Sequence, residues 1–236
     1  MSKIKFGVVT FPGSNCDYDA FYAINNVLGY KTELIWHKDT DLKNSDVIVL
    51  PGGFSYGDYL RTGAIARFSP IMDSVIDFAL KGGFVLGICN GFQILLEAGL
   101  LPGVMLKNES LKFVCKNIYL KIINRNTFFT NKLNKDVIKL PIKHGEGNYF
   151  ADEKTLNELE ENDQIIFKYA SKYGEISAKY NPNGSVKNIA GISNREKNIL
   201  GLMPHPENAC DPILGNTDGS LIFSSLVKNL LNLIEV

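Results

Sequence analysis

Apolar positions recur along the chain in two periods. Ile4–Phe11, Thr32–Trp36, Asp46–Leu50 and Phe84–Ile88 are short apolar runs, the first and third stopped by Pro-Gly, and they predict strands. Between them, Asp17–Leu28 carries Ala20, Phe21, Ile24, Val27 and Leu28 at helical spacing and closes at Gly29. Ile71–Leu80 puts Ile71, Val75, Phe78 and Ala79 on one helical face, and Gly91–Ala98 begins another helix. Strands alternating with helices imply a parallel sheet covered on both faces. The second half is richer in strands, at Phe113–Ile123, Gln164–Ala170, Ile189–Ser193 and Ile199–Met203. It closes on an amphipathic helix, Ser220–Ile234. With no repeat, low-complexity tract or Pro/Ser-rich linker, residues 1–236 read as a single domain.

Composition removes several function classes. Lys+Arg and Asp+Glu both number 25, so no whole-chain basic field suggests nucleic acid or an anionic membrane. No apolar stretch approaches the length of a membrane span, and the first residues read as a strand rather than a signal peptide. Cys16, Cys89, Cys115 and Cys210 are widely spaced with no CxxC pair, so neither a disulfide framework nor a metal cluster is expected. A cytoplasmic location with reduced thiols follows. Charge is uneven locally. Lys107–Lys143 holds nine basic and two acidic residues, and Asp152–Glu161 five acidic and one basic. Both read either as solvated faces or as docking surfaces.

The densest chemical signal is Gly82–Gly99, where the strand Phe84–Ile88 runs into Cys89 and a helix begins at once. Gly87 and Gly91 flank Cys89 at two residues on either side, the thiol counterpart of a nucleophile elbow. Such a turn lifts one side chain above the carboxyl edge of the sheet and needs neighbours without Cβ atoms. The helix N-terminus favours thiolate, and the Asn90 amide is free to face a developing oxyanion. A thiol nucleophile needs a base. His205 lies just after the strand Ile199–Met203, with Glu207 two residues on and prolines at 204 and 206. In extended chain such a pair points to one side, so the carboxylate can orient the imidazole. His144, followed by Glu146 in a Gly-rich loop, is the rival base, and His37 reads as structural. Pro51-Gly52-Gly53 ends the third strand, and the amides of Gly53 or Phe54 are candidates for a second oxyanion donor. Ligands of open parallel sheets sit outside the carboxyl ends of the strands, where all these segments and the loop Pro12–Asp17 fall.

Together these residues resemble the class I, triad-type glutamine amidotransferases. The match comprises LPGG at Leu50–Gly53, GICNGFQ at Gly87–Gln93 and PHPE at Pro204–Glu207. FPGSNCD at Phe11–Asp17, GGFSYGDYLRTGAIA at Gly52–Ala66, KFVC at Lys112–Cys115 and PIKHGEGNYF at Pro141–Phe150 narrow it to the small glutaminase subunits of phosphoribosylformylglycinamidine synthase. The resemblance covers nearly the whole chain. It implies an α/β, flavodoxin-like open sheet, mostly parallel, with helices on both faces. It implies Cys89 as nucleophile, His205 as general base and acid, and Glu207 as its orienter. Gly53 and Asn90 would form the oxyanion hole, with Phe54, Gln93 and His144 as substrate contacts, no metal and no cofactor. The substrate would be L-glutamine. Ammonia would pass to a large synthetase subunit that uses ATP and magnesium to convert formylglycinamide ribonucleotide to its amidine. A third, small subunit would bridge the two. The chain itself has no GxxxxGK[ST] loop.

Two other readings compete. A cysteine-elbow hydrolase or protease of the PfpI type places histidine directly after the cysteine, where this chain has Asn90. A catalytically silent regulatory subunit would have no need of Cys89, His205 and Glu207 together.

Overall fold

A computed structural model describes residues 4–234. Five strands form its parallel half: β1 (Lys5–Thr10), β2 (Lys31–Trp36), β3 (Val47–Leu50), β4 (Phe84–Ile88) and, from the far end of the chain, the eleventh strand β11 (Ile199–Leu202). Their order is β2-β1-β3-β4-β11, all pairs parallel. β3 and the last four residues of β4 are fully buried, as strands covered on both faces must be. Helix α1 (Asp17–Phe21) joins β1 to β2, α2 (Pro70–Leu80) joins β3 to β4, and α3 (Asn90–Glu97) leaves β4. The two crossovers run in opposite directions along the sheet, so the right-handed rule sets α1 and α2 on opposite faces. The helix expected over Asp17–Leu28 widens to π geometry at Tyr22–Val27, where Leu28 N–H reaches Ala23 C=O.

The sheet continues past β11 as an antiparallel half. β10 (Ile189–Ser193), β9 (Ile165–Ala170), β6 (Val114–Ile122) and β7 (Val137–His144) follow in that order, making nine strands among the described residues. Only β10 and β6 run against the rest, so the sheet is mostly parallel in strand direction. Two short strands, β5 (Val104–Leu106) and β8 (Asn148–Phe150), pair separately, and α4 (Glu153–Glu161) and α5 (Ser220–Ile234) complete the chain. β7 is outermost in the strand order, yet its Pro141 C=O accepts the His205 N–H at 2.9 Å. The antiparallel half therefore curls back to meet the end of β11. No described helix is long and apolar enough to cross a membrane.

Sequence patterning missed four of these elements. β7 alternates strictly, with Ile138, Leu140, Ile142 and His144 buried, but Pro141 at its centre argues against a strand. The edge position resolves the conflict, because Pro141 turns its carbonyl away from β6 and has no N–H to leave unpaired there. α4 coincides with the acidic run. Asp152 caps it by accepting from Thr155 N–H at 2.8 Å, and Leu156 and Leu159 supply its buried side. The strands β5 and β8 are three residues each, too short to show a period.

Candidate active site

Four loops meet at the carboxyl edge of the parallel half. β1 is the point where the sheet's connections diverge, one leading to β2 and the next from β3 to β4, which opens a crevice there. The loops after β1 and β3 are stitched together across it. Ser14 bridges Gly53, Cys16 N–H donates to Gly52 C=O at 3.2 Å, and Phe54 N–H donates to Gly13 C=O at 2.9 Å. Phe54 N–H is thereby spent, which removes it as an oxyanion donor. Gly53 N–H makes no such bond and remains.

Between β4 and α3 the chain turns through Cys89 at φ 51° and ψ −105°, a strained conformation for a residue with a side chain. Cys89 N–H is held by Leu202 C=O at 2.8 Å, so β11 fixes the turn. The flanking glycines are required by space. A Cβ at Gly91 would overlap the Leu50 carbonyl, and one at Gly87 would strike Leu95 and the Gly91 carbonyl. Asn90 is the first residue of α3, where a backbone N–H has no intrahelical acceptor. The Asn90 side chain instead binds its neighbours, accepting from Ser55 N–H at 3.2 Å and donating to Gln93 Oε1 at 2.9 Å.

His205 reaches the same point from β11. Its Nδ1–H donates to Glu207 Oε1 at 2.6 Å, and both residues are buried. Nε2 is left without a partner on the thiol side. Burial alone disfavours an imidazolium, but the Glu207 carboxylate and the Cys89 sulfur outweigh it and hold the His205 pKa well above the ordinary value. A Cβ on Gly52 would lie 2.7 Å from His205 Cε1, so the Gly-Gly turn also clears space for the ring.

A second thiol was not anticipated. Cys16 lies beside His205, and its Sγ is 3.3 Å from Lys143 Nζ. Burial opposes charge on Lys143, but Cys16, Glu207 and Asp19 together raise its pKa. Lys143 is therefore turned into the cleft, which takes one member of the basic run away from any docking face. Cys16, His205 and Glu207 have donor atoms within 4.8 Å of one another. The His205–Glu207 hydrogen bond accounts for two of the three, and Cys16 is drawn in by its loop's bond to Gly52. The loop motif FPGSNCD carried the signal for Cys16, but nothing in it distinguished this thiol from a core cysteine.

The remaining expected residues surround the thiol. Gly53, Phe54, Gln93 and His144 all line the cleft. Phe54 and Phe113 form its lip, ring centroids 6.4 Å apart. Gln93 donates from Nε2 to Glu146 C=O at 2.6 Å, so both ends of its amide are engaged and it ties α3 to the loop after β7. His144 is buried, and burial together with nearby His205 lowers its pKa to about 3. The ring is neutral and bonded to Asn183, so His205 is the better-placed base. His37 is structural, as expected, with Nδ1 2.7 Å from Tyr56 Oη.

This geometry agrees with what the chain is similar to. A family model described as a CobB/CobQ-like glutamine amidotransferase domain matches residues 3–220. "Phosphoribosylformylglycinamidine synthase subunit PurQ" of Moorella thermoacetica is 60% identical over 225 residues, covering 95% of each chain. The protein of the same name from a Nostoc species is 53% identical over 231 residues, 98% of this chain and all of that one. Among solved structures, a chain in "Structure of PurLQS from Thermotoga maritima" superposes with a TM-score of 0.84 at 40% identity, covering 97% of this chain and 99% of that one. A strained cysteine elbow faced by a buried His–Glu pair thus occurs on a chain that belongs to the CobB/CobQ-like glutamine amidotransferase family.

Proposed function

We propose that this chain is the glutaminase subunit of phosphoribosylformylglycinamidine synthase, with Cys89, His205 and Glu207 as its catalytic residues. The observation that carries the assignment is Cys89 on its strained turn, with the unpartnered Nε2 of the Glu207-bound His205 on the thiol side. The Cys89 thiolate attacks the carboxamide carbon of glutamine. Gly53 and Asn90 N–H groups stabilise the oxyanion, an effect of about 3 kcal/mol per donor. His205 protonates the departing ammonia, leaving a γ-glutamyl thioester. It then takes a proton from the attacking water, and glutamate is released. Glu207 keeps the imidazole oriented and stabilises its charge throughout.

Ammonia then serves an ATP-dependent synthetase that converts formylglycinamide ribonucleotide to its amidine in purine biosynthesis. The relatives named as synthase subunits, and the Thermotoga chain solved within PurLQS, support a complex with a large synthetase and a small bridging subunit. In this reading ATP and magnesium act on the synthetase, and the complex is cytoplasmic, consistent with four free thiols. The test is glutamate release from glutamine by the purified chain, alone and with its synthetase subunit. Cys89→Ala is expected to lower it by about 10⁴-fold or more. Glutamate release that survives Cys89→Ala, or none from the native chain in either setting, would overturn the assignment.

A further inference from the structure

His37 does not line the cleft around Cys89. It follows β2, and its backbone is held on both sides: its N–H donates to Thr10 C=O and its C=O accepts from Ile71 N–H, each at 3.1 Å. The residue is 3% exposed, and its ring stands edge-on to Trp36 with centroids 4.4 Å apart. It is therefore fixed where the ends of β1 and β2 meet the start of α2. Its Nδ1 lies 2.7 Å from Tyr56 Oη, and Ser69 Oγ lies 2.8 Å from the same oxygen.

This contact is made against several local preferences. Tyr56, Asp58 and Leu60 all have left-handed φ, at 54°, 55° and 68°, and no other stretch of five among the described residues holds as many outside glycine. Strain of this kind persists only where surrounding contacts enforce it. Ser69 is the N-cap of α2, the position whose hydroxyl ordinarily accepts from the first turn of its helix. It makes no capping bond and turns to Tyr56 instead. His37 Nε2 is buried with no partner among the described residues. Local rules are broken together in this way where function requires a particular geometry.

What the contact holds is the turn after β3. Tyr56 N–H donates to Pro12 C=O at 2.6 Å and Gly57 N–H to Phe54 C=O at 2.8 Å, so the position of Tyr56 passes directly to Phe54 and Gly53. Ser55 N–H donates to Asn90 Oδ1 at 3.2 Å, which ties the same turn to the residue bearing the other oxyanion donor. Gly52 and Gly53 have no Cβ, so the peptide between them takes its direction from outside contacts. Cys16 N–H holds the carbonyl of that peptide from one side at 3.2 Å, and the turn anchored on His37 holds it from the other.

We propose that His37 is a positioning residue for amide hydrolysis: through Tyr56 it fixes the Ser55–Asp58 turn and so aims Gly53 N–H at the oxyanion. The inference rests on the glutaminase reading and adds to it a residue that lies outside the triad.

The test uses the full chain with its synthetase subunit and follows glutamate release. Removal of a whole oxyanion donor lowers kcat by about 10²- to 10³-fold, so a donor that is present but poorly aimed is expected to lower it by about tenfold. Tyr56→Phe and His37→Leu should each show that loss, with KM for glutamine within about twofold of native. The double variant should be no slower than the slower single one, because the two side chains act as one contact. His37→Asn, whose amide offers an oxygen or a nitrogen near the place of Nδ1, should recover kcat to within about threefold of native. In every variant the alkylation of Cys89 by iodoacetamide should keep its native pH dependence, which also shows that elbow and base are intact. Native kcat in both single variants, losses that multiply in the double variant, no recovery in His37→Asn, or a shifted alkylation profile would each overturn the proposal. Tyr56→Phe removes a single oxygen atom and carries the test by itself if His37→Leu does not fold. Native protein that releases no glutamate overturns the glutaminase reading, and this inference with it.

Discussion

The parallel and antiparallel halves of the sheet both reach the cleft, but they contribute differently. From the parallel half come Gly53, Cys89 and His205, each within three residues of a strand end. Those positions are set by short backbone connections and by glycines that nothing larger can replace. From the antiparallel half come Lys143, His144 and Glu146, at the end of β7 and in the loop beyond. Their positions depend on a network of side-chain amides. Asn108 and Asn183, both buried, hold the backbone or ring of residues 144–147. In the proposed reaction, bonds are made and broken over the parallel half, while the antiparallel half closes the cleft with Lys143, His144 and Glu146. Damage to the first should therefore appear in kcat, and damage to the second in KM.

The largest effect that sharpens this contrast is expected from Glu207→Gln. The glutamine side chain keeps the shape but loses the charge that stabilises the imidazolium, and kcat should fall by about 10³-fold or more. The pH dependence carries a second signature. Glu207 raises the His205 pKa, so the imidazolium in native protein persists above the ordinary histidine range. A raised histidine pKa contributes stability that is complete below about 6.5 and is lost as pH rises through the folded value. In Glu207→Gln the folded value falls, so the imidazolium is lost at a lower pH. Alkylation of Cys89 by iodoacetamide, followed against pH, should show that shift, and an unchanged profile would count against Glu207 as the controlling charge.

Asn108→Ala should break the other half. Asn108 Nδ2 donates to the His144 and Lys112 carbonyls at 2.8 Å, and its Oδ1 accepts from Gly147 N–H at 3.0 Å. Its removal leaves buried backbone groups unsatisfied, a loss of about 2–3 kcal/mol in stability. The loop carrying His144 and Glu146 would loosen, while Cys89 and His205, anchored through β4 and β11, would not. KM for glutamine should rise by about tenfold with kcat within about threefold, and the alkylation profile of Cys89 should match native protein. A kcat loss as large as that of Glu207→Gln would show that the two halves are not separable.

The same contrast explains what the sequence disclosed. The parallel half was legible because its strands, turns and site residues are local in the chain. The elbow is a strand, a Gly-x-Cys-x-Gly and a helix in succession, and PHPE follows its strand directly. β4 and the last helix were read to the residue, as was β10 in the other half. In the antiparallel half the determinants are distant from one another. Asn183 is 39 residues from His144, and Asn108 is 36. Asparagine amides have no periodicity, so this network emerged only once the chain was folded. Cys16 is a similar case, a thiol brought beside His205 by backbone bonds between two loops.

Pro141 is a second point, besides the β10–β11 pairing, where the two halves meet, and it offers the smallest and most specific test. Its carbonyl accepts the His205 N–H, so the antiparallel half steadies the base from behind. The pyrrolidine ring has no such role, since the outward-facing nitrogen of this edge strand needs no N–H for pairing with β6. Pro141→Ala keeps the carbonyl and adds one N–H on the side away from β6. It should change stability by about 0.5 kcal/mol at most, a value typical of substitutions that break no buried contact, and leave kcat and KM near native. A kcat loss of tenfold or more would mean that the ring's fixed φ, rather than the carbonyl alone, holds His205 in place. The join would then belong to the catalytic half, and the boundary between the two halves would lie one strand further out than the hydrogen bonds suggest.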